Sequence, residues 1–352
     1  MATKSTYKIL KADQSTTLNE IYPSQSFHRD ETIVVGKIVS SSLISGGPYR
    51  KRALLKFSKY SEETGYSKAY LQVYEAQANA LQKGQIIEIG FQTASLTTGN
   101  EFIVGRGRRD SNPPVKEGST WQYSNVSTDT EWQEQTASAQ AKTDYIVTAS
   151  ADIDIDVSAL LSVVNSNNTF RFVHLNYKST HEDDAVIRGE IEYYSSETHT
   201  VYQPTLVVAS ESISACAEGK EDGDFTLDND FVLYHKNLRD TYQANSKLTF
   251  KFGARTLYPS ATYGTSSSTI GLNYIPSEST YNFKDLRTGE LILPTSMQDN
   301  LAIESNATCH YIENVPSDLF YPYRKYQLVV NVISGSTTET VVLPETFQVE
   351  AS

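Results

Sequence analysis

Short runs in which apolar and polar residues alternate, each closed by turn formers, constrain this chain more than any other feature. Residues 32–39 read Thr-Ile-Val-Val-Gly-Lys-Ile-Val, and residues 69–74 read Ala-Tyr-Leu-Gln-Val-Tyr. Residues 53–57, 86–91, 170–175 and 205–208 follow the same pattern, as do 248–255, 291–293, 326–332 and 346–349. Strand side chains point to opposite faces in turn, whereas an amphipathic helix needs a period of about 3.6 residues. Composition agrees: 23 Tyr and 13 Phe stand against 2 Met and 2 Trp, with Ser and Thr throughout. Such residues suit a pleated, half-buried surface.

Helix is expected in little of the chain. Residues 156–161 form one candidate turn, capped by Asp156 or Ser158 and ended by the polar run 165–168. The Ala/Gln-rich stretch 75–83 is a weaker helical candidate, and the polar stretch 128–142 reads as a long surface loop. A length of 352 residues fits two domains of ordinary size. The boundary falls after Val208, near Ser210, where residues 211–230 form an acidic connection rich in Ser, Gly and Asp. The expected fold is all-β: two tandem β-sandwich domains spanning 1–210 and 211–352, the first jelly-roll-like, with little helix.

A formal net charge of −12 argues against a partner with a phosphate backbone, so no nucleic acid is expected. Residues 1–10 hold only the pair Ile9-Leu10, too little for the apolar run of ~7–15 residues in a secretory signal. No stretch approaches ~20 apolar residues, so no membrane-spanning helix is expected either. Cys216 and Cys309 both fall in the second half and belong to no CxxC pair. A bridge between them and a pair of buried free thiols both remain open, the thiols being favoured because Cys packs as a small hydrophobe.

A resemblance adds to this reading. Residues 21–27 followed by 32–36, the run Arg-Ala-Leu-Leu-Lys-Phe at 52–57, and residues 66–74 occur in the order of the DNRLRE (disaggregatase-related) β-sandwich family. So do Asn-Pro-Pro at 112–114, Gly-Ser-Thr-Trp at 118–121, residues 154–158, residues 193–197 and the closing run 203–208. Residues 1–210 thus resemble that family, with Ser26-Phe27-His28 standing where an Asn-aromatic-Gly is usual. The resemblance implies a jelly-roll sandwich that serves as a stalk or binding module, with carbohydrate bound by some relatives. Residues 281–290, 320–326 and 346–349 resemble the C-terminal regions of tailed-phage virion structural proteins.

Chemistry-bearing patterns are sparse. The six His form no HExxH or His-x-His pair, and each is expected on a surface or loop rather than on a metal. No Gly-x-Ser-x-Gly elbow marks a nucleophile, although a dispersed Ser-His-Asp set stays open. Glu221, Asp222, Asp224, Asp228 and Asp230 surround a glycine and form a weak calcium candidate, against a plain solvated linker. The run 181–184 is a weaker one. Asp152, Asp154 and Asp156 share one strand face, which is expected to meet water. Arg106, Arg108 and Arg109 lie in a Gly-rich loop without the Lys-Ser/Thr of a phosphate loop, and they suit an acidic neighbouring subunit or a solvated hairpin. Tyr321 and Tyr323 sit among crowded tyrosines of the kind found at interfaces.

The expectation is a non-enzymatic structural protein of a tailed-bacteriophage virion, in neck, collar, tail or baseplate. It would be made in the host cytoplasm and act by assembly with copies of itself and other virion proteins. No cofactor is expected beyond a weakly indicated calcium. The rival is a carbohydrate-binding β-sandwich module of a bacterial surface protein, and a host-surface glycan is a partner under either reading.

Overall fold

A strand that is apolar on one face must cover that face, and here the cover is a second sheet. The computed structural model of the chain describes residues 7–39, 48–58, 66–79, 81, 84–93, 103–132, 140–147, 151–160, 170–209, 231–257, 275–276, 278–300, 303–305, 309–334 and 336–351. These residues are all-β in character, and they fall into two compact units. One unit comprises residues 9–208; the other comprises 209–352 together with 1–8.

In the unit of residues 9–208, the larger sheet has eight strands. Its order is Gln140–Ile146, Ile86–Thr93, Phe170–Tyr177, Tyr49–Lys56, Thr32–Ile38, Gly189–Tyr194 and Glu75–Asn79, with Gln14–Asn19 also paired to Tyr49–Lys56. A smaller sheet orders Tyr7–Lys11, Thr205–Ala209, Lys68–Val73 and Ile153–Asp156. The inward positions alternate as the sequence predicts: Ile33 and Val35, Ala53 and Leu55, Ile87, Ile89 and Phe91, Val173, Leu175 and Tyr177. Ala69, Leu71, Val73, Leu206 and Val208 answer from the smaller sheet, and all of these belong to one buried core. Each large apolar side chain so buried contributes about 1.5–3 kcal/mol. The chain changes sheets at Tyr74, whose carbonyl accepts from the Tyr194 amide at 3.0 Å.

The outer face of the larger sheet is covered in part. Leu18, Leu54 and Phe172 form a small second cluster against Trp121 and Trp132. Trp132 meets Phe172 edge-on at 6.2 Å and donates its indole N–H to the Thr120 carbonyl at 2.7 Å.

The other unit has a four-stranded sheet ordered Phe231–His235, Lys247–Thr256, His310–Pro316 and Glu304–Ser305. Its five-stranded partner orders Thr241–Tyr242, Phe347–Val349, Lys325–Ser334 and Thr280–Asp285, with Thr337–Val342 also paired to Lys325–Ser334. Aromatic rings close this sandwich: Phe250 of the first sheet lies 5.2 Å from Phe283 and 4.9 Å from Phe347 of the second. Phe320 and Tyr326 complete the cluster.

Several expectations change. Glu75–Asn79 is a strand and not a helical turn, held by antiparallel pairing to Gly189–Tyr194. The stretch read as one loop over 128–142 contains the strand Thr130–Glu131 and ends in Gln140–Ile146, which pairs with Ile86–Thr93. Residues 291–293 form no strand; Leu291 makes a single bridge to Lys284, and the Leu293 amide bonds to Asn282 Oδ1. Residues 158–160 are helical, and Asp156 Oδ1 accepts from the Ser158 amide at 2.7 Å. The domain connection 211–230 lies outside the described residues.

Candidate functional site

Tyr321 and Tyr323, singled out from sequence, sit together on one tight turn, Tyr-Pro-Tyr-Arg, just before the strand Lys325–Ser334. Pro322 fixes the second turn position, and the Arg324 amide donates back to the Tyr321 carbonyl at 3.4 Å. The third position holds Tyr323 at φ 61°, a left-handed backbone that a turn of this kind normally gives to glycine. A bulky L-residue there costs roughly 1–2 kcal/mol. The surroundings hold it. The Tyr323 amide donates to the Val349 carbonyl at 2.8 Å, and the Tyr326 hydroxyl accepts from the Tyr321 amide at 2.8 Å. Burial pushes the pKa of that hydroxyl up, so it stays protonated. Arg324 donates to Asp285 Oδ2 at 2.6 Å and lies over the Tyr321 ring at 5.3 Å. Asp285 is buried and also accepts from the Arg287 amide at 2.7 Å. The product of this bracing is a displayed ring: Tyr323 is 67% exposed.

The three arginines of the Gly-rich loop differ in their surroundings. Arg109 is tied down, with its guanidinium 3.2 Å from Glu192 and 3.8 Å from Asp30, and its amide donating to Asp30 Oδ1 at 2.8 Å. Burial raises the Asp30 pKa, with Arg109 opposing that rise. Arg106 is 76% exposed in its side chain and reaches Glu117 only at 3.6 Å; Arg108 is exposed too. The glycines between them serve packing. A Cβ on Gly107 would lie 2.0 Å from the Ser26 carbonyl oxygen, and one on Gly105 would lie 2.2 Å from that of Glu117.

Glu221, Asp222, Asp224, Asp228 and Asp230 lie outside the described residues, as does Cys216. Cys309 is buried. The weaker acidic run is spent on ion pairs: Glu182 with Arg52 at 2.6 Å, and Asp184 with Arg188 and Lys37. Those two partners hold the Asp184 carboxyl well below the usual range. Lys37 is only 1% exposed, and its ammonium also donates to the His181 carbonyl at 2.9 Å. No group of three or more metal-ligating side chains occurs among the described residues. Asp152 and Asp156 face water, and each accepts a backbone amide, from Glu75 and Ser158 respectively.

Two features went unread in the sequence. Arg50 and Arg52 both lie over Trp121, at 5.3 and 5.0 Å, while Arg50 pairs with Glu20 at 2.9 Å. The alternation in Tyr49–Lys56 puts Arg50 and Arg52 on one face, which is the signal that would have found them. The histidines are also less superficial than expected, for His28 and His310 are buried. His310 Nδ1 lies 2.6 Å from Ser305 Oγ, which looks like half a catalytic dyad. Its Nε2 accepts from the Ile275 amide, so Nδ1 carries the proton and donates to the serine.

No family model matches the chain, and no curated protein does. Among solved structures, it is similar to a DUF4785 family protein from Legionella pneumophila at 7% identity and a TM-score of 0.19. That match covers 99% of this chain and 66% of the Legionella chain, and at such a score it carries no argument.

Proposed function

We propose that this chain is a structural virion protein of a tailed bacteriophage, in neck, collar, tail or baseplate, and that it works by protein–protein assembly. The observation that carries this reading is Tyr323, held in a costly backbone conformation and displayed to solvent by a braced turn. Strain of this kind persists where the surroundings over-determine it, and it clusters at functional sites. Tyr is among the residue types that dominate binding at interface centres, and this turn displays Tyr323 with the half-buried Tyr321 beside it. The resemblance of residues 281–290 and 320–326 to virion proteins supplies the setting. Its partners are other virion proteins and copies of itself, and its chemistry is contact rather than turnover.

Quantitative mass spectrometry of purified particles tests this. The chain is expected at a fixed copy number relative to the other virion proteins. Its absence from intact particles sinks the reading.

A further inference from the structure

A cavity of about 560 Å³ opens beside the strand pair Thr241–Tyr242 and Phe347–Val349, within the size range of small-ligand sites. Its walls are preformed. Tyr242 runs parallel to Val349, and its carbonyl accepts from the Glu350 amide at 2.9 Å. The Tyr242 hydroxyl accepts from the Arg239 amide at 3.2 Å, while its ring packs 5.7 Å from Phe250 and 5.8 Å from Phe347. Asn237 locks another wall, accepting from the Lys251 amide at 2.6 Å and donating to the Thr249 carbonyl at 3.3 Å.

The lining chemistry selects among ligands. Arg239, Lys247 and Glu350 all line the cavity, all are exposed, and none has an oppositely charged side chain within 4.0 Å among the described residues. Gln243 and the hydroxyls of Thr241, Ser246 and Thr249 fill most of the remainder, and Leu248 is buried. Polar surface dominates this lining, which disfavours an apolar ligand. A stacked base finds no free ring, because Tyr242 is committed to Phe250 and Phe347. Two unpaired cations call for an anion, against the −12 charge of the whole chain. Glu350 opposes a dianion such as phosphate, yet it suits hydroxyl donors. A monoanion that carries many hydroxyls satisfies all three charges together.

We propose that this cavity binds a short acidic oligosaccharide through a sugar carboxylate. Arg239 and Lys247 take the carboxylate, and Glu350 accepts hydroxyl protons from the same or the adjoining ring. The proposal goes beyond the assembly reading and does not depend on it.

Calorimetric titration of the full chain with sialyllactose and with a disaccharide that carries a single glucuronate tests it, using lactose and inorganic phosphate as controls. At least one carboxylated sugar is expected to bind, with lactose and phosphate at least tenfold weaker. Arg239→Ala and Lys247→Ala each weaken that binding at least tenfold at an unchanged melting temperature, which their exposure permits. Glu350→Gln weakens the sugar and strengthens phosphate. Failure of both acidic sugars to bind overturns the proposal, as does equal binding of lactose or full affinity in Arg239→Ala and Lys247→Ala.

Discussion

His174 sits on the outward face of its strand, with Nδ1 2.8 Å from Asn176 Oδ1 and a covered Nε2 that has no hydrogen-bond partner. Its ring rests on Gly90: a Cβ built there would lie 1.8 Å from Nε2. Gly90→Ala therefore overpacks the sheet and is expected to cost roughly 1–3 kcal/mol in urea unfolding; an unmoved midpoint would show that the ring yields freely. Burial also pushes the His174 pKa down to about 4, with Glu88 opposing and Lys142 and Arg52 assisting. The unfolded chain titrates near its ordinary 6.5 and so binds the extra proton first as pH falls. The stability from keeping this ring neutral is complete above pH 6.5 and is lost as pH drops through 6.5 towards 4. The slope is at most roughly 1.4 kcal/mol per pH unit. His181 and His235 shift in the same direction through burial, so the difference between wild type and His174→Gln isolates the effect. The variant should give a flatter stability–pH profile over that window, and an identical profile would contradict the assignment. At Tyr323 the direction reverses. Tyr323→Gly relieves the left-handed backbone and leaves stability unchanged or raised by up to about 1 kcal/mol, whereas a larger loss would mean the ring packs as part of the fold.

The strands tell which elements a sequence can announce. Thr32–Ile38 and Lys68–Val73 are buried on both faces, but residues two apart, Ile33 and Val35, and Ala69, Leu71 and Val73, are the ones that enter the core between the sheets. That period of two is visible in the residues themselves. Thr337–Val342 is exposed along nearly its whole length, so it has no apolar period to read; it exists because Lys325–Ser334 pairs with it. Glu75–Asn79 is likewise made by its neighbour Gly189–Tyr194. The site follows the same logic. Tyrosine crowding and Pro322 mark a turn at 321–324 in the sequence, but the positive φ of Tyr323 depends on Val349, Tyr326 and Asp285, which are brought there by the fold. The aromatic rings between the two sheets of the 209–352 unit make a sharper prediction. Phe250 is fully buried and touches Phe283, Phe347 and Tyr242. Phe250→Ala should cost roughly 3–5 kcal/mol, read as faster amide exchange in Lys247–Thr256 and Lys325–Ser334, and unchanged protection there would remove Phe250 from the core.

Across the described residues, several cations are spent on holding the fold: Lys37, Arg50, Arg52, Arg109, Arg188 and Arg324 all pair with carboxylates. What the described surface displays without such pairing is limited, and Tyr323 is the largest apolar side chain it exposes that also sits in a strained backbone. The central claim is that this ring is retained for a partner and not for the fold. The direct measurement is the copy number of the chain in particles assembled with Tyr323→Gly in place of wild type, quantified by mass spectrometry beside its unfolding midpoint. Incorporation should fall at least tenfold while the midpoint holds or rises. Normal copy number in particles that contain the variant would contradict the claim.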